Sequence, residues 1–338
     1  MVASHRPRLM QSIYRFIDNH KTLRRLVRLA RLIYPPEYQR VARKYAARIR
    51  GIQKVMASIG GDYSIRITPR EVLLDYASCT FGWNPRDPSS LLGAPLRKDG
   101  FESTETAIIK EFLAPGAHFF DIGANFGWYT IIMGRSFPGI SVHAFEPNPL
   151  AFTELLENIG RNNLDRLVVA NNIGLGDKRK KMQLFVPRRL GSAFGSLKAI
   201  RKYDQDMDVV DVKIGLLDEY CRSKRVSRID FIKMDVEGAE LLVLKGGLKS
   251  IRRFKPVLLL ETQKYLTKEF GYHPDEVFDL LRETHHAYAV CDHKIFPIGT
   301  YADAKDRSYN FLFVPKDKKL LVKVRAISRS LRKRQRDR

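Results

Sequence analysis

The chain has 338 residues, 44% hydrophobic and 29% charged, enough apolar material for a buried core; a wholly disordered, collagen-like or coiled-coil chain is excluded. No run approaches 18 uninterrupted apolar residues, which excludes a spanning helix, and the wide spacing of Cys79, Cys221 and Cys291 excludes a disulfide scaffold or zinc ribbon. The formal net charge of +23 sits at the ends: residues 1–50 carry +11 and residues 316–338 carry +9, leaving +3 for residues 51–315.

The first twenty residues lack the apolar core of a secretory signal, and a cytoplasmic chain, peripheral at the inner membrane face, is expected. Apolar residues at Ile13, Phe16, Ile17, Leu23, Leu26, Val27, Ala30 and Ile33 recur at helical spacing, with Arg24, Arg25, Arg28 and Arg31 mostly opposite. Pro35-Pro36 stops that helix, and a second basic helix is expected over 37–56. Residues 1–60 thus read as a basic helical extension, and 61–100 as lead-in strands and loops. A basic amphipathic helix suits packing on the domain or an anionic membrane surface equally well. Nucleic acid ranks third, because the basic tail 316–338 has few aromatics to stack on bases.

From residue 101 helical and strand patterns alternate. Ser103 is the expected N-cap of a helix over 103–113. Strands are expected at 118–122, 142–145, 167–171, 229–234, 257–260, 287–291 and 310–314, with helices between most of them. Residues 182–214 read as two further strand-like runs around a flexible centre, 191–196, expected to close over the acceptor or to form a hairpin tip. The pattern predicts an open, mostly parallel α/β sheet over 101–315, with its ligand beyond the carboxyl ends of the strands.

The strand His118–Ile122 carries Asp121 near its end and leads through Gly123, Asn125 and Gly127 into a helix. The spacing is D-x-G-x-N-x-G, which differs from the dinucleotide fingerprint. A pyrophosphate is repelled by a carboxylate at that point, whereas the ammonium end of S-adenosylmethionine is attracted. Glu146, at the end of the next strand, is placed to accept hydrogen bonds from the ribose hydroxyls. The fourth strand leads to Asp235 and the fifth to Glu261. Two carboxylates on one rim can act as a general base for a substrate hydroxyl or as hard oxygen ligands for a divalent metal. Glu237 and Glu240 also suit the first turn of the following helix. His273, His285, His286 and His293 fit no metal spacing.

Asp121–Thr130 (DIGANFGWYT), Phe145–Pro147 (FEP), Ile229–Glu240 (IDFIKMDVEGAE) with Leu244-Lys245-Gly246, Leu260-Glu261 and Asn310–Pro315 (NFLFVP) occur in this order. Over residues 100–315 this set resembles the FkbM family of S-adenosylmethionine-dependent methyltransferases. The resemblance implies a Rossmann-like class I fold with a seven-stranded, mostly parallel sheet, and O-methylation of a sugar, glycoconjugate or small metabolite. It also implies that Asp121, Gly123, Asn125 and Gly127 line the methionine end of the cofactor, that Glu146 binds ribose and that Asp177 lies near adenine. Asp235 is the expected base, assisted by Glu261 or by a divalent metal whose third ligand the sequence does not identify. An RNA or protein methyltransferase with the same cofactor site is the alternative. The absence of an Asn-Pro-Pro-Tyr type tetrapeptide after the fourth strand weighs against base amines as acceptors.

Overall fold

The computed structural model describes residues 63–67, 71–84, 87, 89, 101–200, 206–291, 294–304 and 308–336. The expected N-terminal helices, over 13–33 and 37–56, lie outside these residues, as does His293. The chain divides into two compact units, one of residues 1–84 and 91–101 and one of residues 85–90 and 102–338.

In the first unit, β1 (Tyr63–Ile67), β2 (Val72–Tyr76) and β3 (Cys79–Trp83) form an antiparallel meander. Ala77 and Ser78, both at positive φ, make the two-residue turn between β2 and β3, a geometry that matches the twist of the paired strands.

The second unit is built on an eight-stranded sheet. Its parallel part runs β11 (Val257–Glu261), β10 (Phe231–Met234), β4 (His118–Ile122), β5 (Ser141–Phe145), β6 (Val168–Asn171). Beside β11 lie β14 (Asn310–Pro315), β12 (His285–Cys291) and the edge strand β13 (Lys294–Ile298), all paired antiparallel. The seven expected strands are present, and β13 adds an eighth. β10 and β11 are nearly continuous buried apolar runs, as strands covered on both faces must be. Chain order reverses between β4 and β10, so their carboxyl ends open a crevice where an α/β sheet takes its ligand.

Two helices set the crevice floor. α1 (Ser103–Phe112) begins at Ser103 itself, not after it: Glu102 occupies the N-cap in a left-handed conformation (φ 46°) and makes no capping bond. α2 (Trp128–Ser136) follows β4 and is buried from Trp128 to Gly134. The helix α3 (Pro149–Arg161) starts on the Asn148 side chain, which accepts the Leu150 N–H, with proline at the first turn.

A second small sheet joins β7 (Gly174–Leu175), β8 (Lys180–Pro187) and β9 (Met207–Gly215). Between β8 and β9 the expected flexible centre forms a short 3₁₀ turn, Ser192–Phe194. The turn is tethered: the Ser192 N–H donates to buried Asp87 (3.1 Å), and the Ser196 hydroxyl donates to the Glu237 carbonyl (2.9 Å). Beyond β9 come α4 (Leu217–Ser223), α5 (Glu240–Gly246), α6 (Leu248–Phe254), α7 (Lys264–Glu269) and α8 (Asp275–Leu281). The C-terminal segment, expected as a basic helical extension, is the helix α9 (Lys318–Arg336). Val324, Ile327 and Leu331 are buried, and the Ser328 hydroxyl donates to the Ile295 carbonyl of β13 (3.3 Å).

Candidate functional site

The turn after β4 is held by backbone bonds on every side. Gly123 N–H and Ala124 N–H both donate to the Phe145 carbonyl (3.0 Å each), and Gly127 N–H donates to Ala124 (2.8 Å). Gly123, Asn125 and Gly127 all have positive φ (83°, 49° and 95°), which bends five residues into a tight cradle. The Asn158 amide caps it from α3 by donating to the Phe126 carbonyl (2.8 Å).

Asp121 is 1% exposed, and one carboxylate oxygen accepts both the N–H (2.9 Å) and the hydroxyl (2.6 Å) of Thr130. Burial pushes its acid up to about 6 despite those bonds. Glu146 is also buried; one oxygen accepts the Asn125 N–H and the other the Asn148 N–H, each at 2.8 Å. Burial outweighs both bonds and pushes Glu146 up to about 7. Glu146 therefore ties the glycine turn to the start of α3.

Asp177 is carried by a different part of the chain. It follows β7 beside Gly246, at the far end of α5, and one carboxylate oxygen is buried without a hydrogen-bond partner among the described residues. The residue that meets the Glu146 turn from the β6 side is Asn172, whose amide donates to the carbonyls of Glu146 (2.9 Å) and Pro147 (3.1 Å). Asn172 stands directly past the end of β6, and the rule that ligands bind beyond strand ends points to it over Asp177.

Asp235 and Glu261 are brought together. Lys233 pairs with Leu259 in register, so two residues on, Asp235 and Glu261 share one face at the carboxyl edge. Glu102, at the head of α1, joins them: one carboxylate oxygen from each of the three lies within 4.8 Å of the others. These three groups could hold a cation, and Glu102 is the third oxygen donor that strand-end reasoning does not reach. Its left-handed backbone is the sort of strain that collects at functional sites.

Lys233, the penultimate residue of β10, points into the same cluster. Its side chain is 2% exposed, with Nζ 3.7 Å from Asp235 Oδ2 and 5.4 Å from the centre of the Tyr129 ring. Burial works against its charge, but Asp235, Glu102, Glu261 and Asp121 outweigh it and hold the ammonium above its ordinary value. Burial first and the Asp235 charge second push Glu261 up to about 8. Burial, with Asp235 adding and Lys233 opposing, pushes Glu102 up to about 7. Lys233 sits inside the DVEGAE-containing motif, and a lysine within an otherwise apolar strand was the available signal for it.

Glu240 belongs to the scaffold. It is 1% exposed and accepts the Gly238 N–H (3.1 Å) and the Tyr272 hydroxyl (3.1 Å). His285 is buried and bonded to Thr284 and the Pro256 carbonyl, and His273 pairs with Asp275 on the surface.

The family model of the methyltransferase FkbM domain matches residues 121–289, half of the chain. The 31-O-demethyl-FK506 methyltransferase FkbM of Streptomyces tacrolimicus is 28% identical over 161 residues, covering 40% of this chain and 60% of its own. The hexuronic acid methyltransferase AglP of Haloferax volcanii is 29% identical over 163 residues, covering 48% and 60%. The chain thus spans less than two thirds of the length of these relatives. A solved structure of a methyltransferase FkbM from Methylobacillus flagellatus KT overlays 60% of this chain and 44% of its own, with 16% identity and a TM-score of 0.40. By its match over the strand-end motifs, the chain belongs to the methyltransferase FkbM domain family.

Proposed function

We propose that the protein transfers a methyl group from S-adenosylmethionine to a hydroxyl of a sugar, glycoconjugate or small metabolite. The observation that carries this reading is the charge of the crevice. Glu102, Asp121, Glu146, Asp235 and Glu261 converge on the carboxyl ends of β4, β5, β10 and β11 with Lys233 among them. Such a donor set fits a ligand with a sulfonium and an ammonium and no phosphate. The cofactor suits the residues present: the tight positive-φ turn Gly123–Gly127 lies at the carboxyl end of β4, and Glu146 lies at the second strand end, where ribose hydroxyls bind in this architecture. When bound, it supplies an electrophilic methyl carbon. The chain's own task is to hold the acceptor oxygen in line, exclude water and remove a proton. Asp235 is the base in this reading and Glu261 its neighbour.

The acceptor class follows from the relatives by proposal only, because one acts on a hexuronic acid and another on a demethylated FK506. The test is incubation of pure protein with methyl-labelled S-adenosylmethionine and a cell extract separated into glycan and lipid, RNA and protein fractions. Label in the glycan and lipid fraction is expected. Label confined to RNA or to protein would replace this reading with the alternative.

The exposed side of α9 presents Lys318, Lys319, Arg325 and Arg329 to solvent, a basic face suited to anionic lipid. No helix among the described residues is long and apolar enough to cross a membrane. We therefore also propose peripheral contact with an anionic membrane surface. Co-sedimentation with phosphatidylserine vesicles, lost on Arg325→Glu/Arg329→Glu, is the expected result.

A further inference from the structure

Lys233 carries a hydrogen-bonding problem that the fold does not solve. Its ammonium offers three N–H donors. The side chain is 2% exposed, and Nζ has no hydrogen-bond partner among the described residues. Its nearest anionic atom, Asp235 Oδ2 at 3.7 Å, is close enough for charge attraction and too far for a hydrogen bond. Buried donors left unsatisfied are costly, and each one in a folded protein calls for a missing acceptor. The Tyr129 ring, 5.4 Å away, backs the ammonium as a cation–π partner. The carboxylates of Glu102, Asp235 and Glu261 lie in the same cluster.

An oxygen atom set between Lys233 and Asp235 would complete the site. A hydroxyl is the group that matches both: its oxygen accepts from an ammonium while its hydrogen is donated to a carboxylate. A protonated amine would be repelled by Lys233 and gains no acceptor-to-donor match there.

We propose that Lys233 and Asp235 form a hydroxyl-binding pair, in which Lys233 donates to the acceptor oxygen and serves as a built-in cation where a bound divalent ion would otherwise stand. The inference rests on the methyl-transfer reading and deepens it by assigning the contact to oxygen. As the acceptor O–H bond breaks, its proton passes to the Asp235 carboxylate. The oxygen forms its bond to the methyl carbon while the carbon–sulfur bond breaks, and sulfur keeps the electron pair. Negative charge that gathers on the oxygen meets the Lys233 ammonium. That ammonium neutralises one of the three carboxylate charges and repels a second cation at close range, which disfavours a divalent ion there.

Two measurements test this on the full chain. The first titrates Mn2+ by electron paramagnetic resonance. Wild type is expected to take up none at millimolar metal, and Lys233→Met, which empties the cluster of its cation, is expected to gain a site. Stoichiometric uptake by wild type, lost in Glu102→Gln, would overturn the inference. The second compares wild type and Lys233→Met for label transfer into the glycan and lipid fraction and for adenosylhomocysteine binding by calorimetry. Transfer is expected to fall roughly 10²–10³-fold with the adenosylhomocysteine Kd held within about threefold. Transfer by Lys233→Met equal to wild type would also overturn it. Should Lys233→Met fail to fold, Lys233→Gln, which removes the charge, keeps a polar head and leaves all three carboxylates in place, replaces it in both measurements. A wild type that binds no adenosylhomocysteine would defeat the methyl-transfer reading instead, whatever the metal result.

Discussion

A Cβ on Gly123 would lie 1.7 Å from the carbonyl oxygen of Asp235. The glycine turn after β4, proposed to cradle the cofactor, and the strand end that carries the proposed base are therefore in direct backbone contact. Gly123→Ala combines this overlap with a left-handed φ of 83° that a side chain rarely adopts. The expected loss of stability is more than about 3 kcal/mol, with adenosylhomocysteine binding lost as well. Thermal melts and calorimetry check it; an unaltered melt would show that the two turns are not locked together.

Asp235→Asn keeps the shape of the rim and removes the base. Transfer is expected to fall roughly 10²–10⁴-fold, while adenosylhomocysteine affinity stays within about threefold. Label incorporation and calorimetry on the same preparation check it. Undiminished transfer would dismiss the base role.

Glu146 makes its contribution through two backbone donors on different elements, Asn125 and Asn148. Glu146→Ala leaves both without their charged acceptor and frees the glycine turn. With charge-assisted bonds worth about 1.5–3 kcal/mol each, adenosylhomocysteine binding is expected to weaken roughly 10–100-fold. Calorimetry measures this, and Asp177→Ala serves as the contrast: it stands by Gly246 and accepts neither of these two N–H groups, and should bind within about twofold of wild type.

Burial pushes Glu240 up to about 7 from an ordinary value of 4.5, so the folded chain holds that proton more tightly than the unfolded one. The stability this contributes is fully present below about 4.5 and is lost as pH rises through about 7. His143 runs the other way: burial lowers it to about 4, and its contribution is lost as pH falls from 6.5 toward that value. Comparing wild type with Glu240→Gln cancels the histidine. Between pH 6 and 8.5 the wild-type melting temperature should fall more steeply than that of Glu240→Gln. Parallel slopes by scanning fluorimetry would contradict the assignment.

The C-terminal helix is held by its apolar side. Ile327→Asp puts a charge where Ile327 is 3% exposed and should cost about 3 kcal/mol; Arg329→Glu, on the exposed side, should change stability by no more than about 0.5 kcal/mol. Urea melts distinguish the two, and equal effects would mean that α9 does not pack on the domain.

What the amino-acid sequence determined by itself was everything set by local order. Apolar runs ending in Asp121, Glu146, Asp235 and Glu261 place acids at strand ends, and glycines at fixed intervals mark the turn that follows β4. Both patterns depend only on neighbours in the chain, so the sheet, its crevice and four of the acids around it were legible. Tertiary structure alone decided the rest. Glu102 reaches the cluster because α1 packs beneath β4 and β10, a contact between residues far apart in sequence. Lys233 shares a strand face with Asp235 two residues on, and it is buried because β4 and β11 flank β10 on both sides. Asp177 follows β7, which pairs with β9 in a second sheet, and the basic helical extension at the C-terminus packs through Val324, Ile327 and Leu331. Distance along the chain carries no record of such encounters; they are fixed by how the layers close on one another.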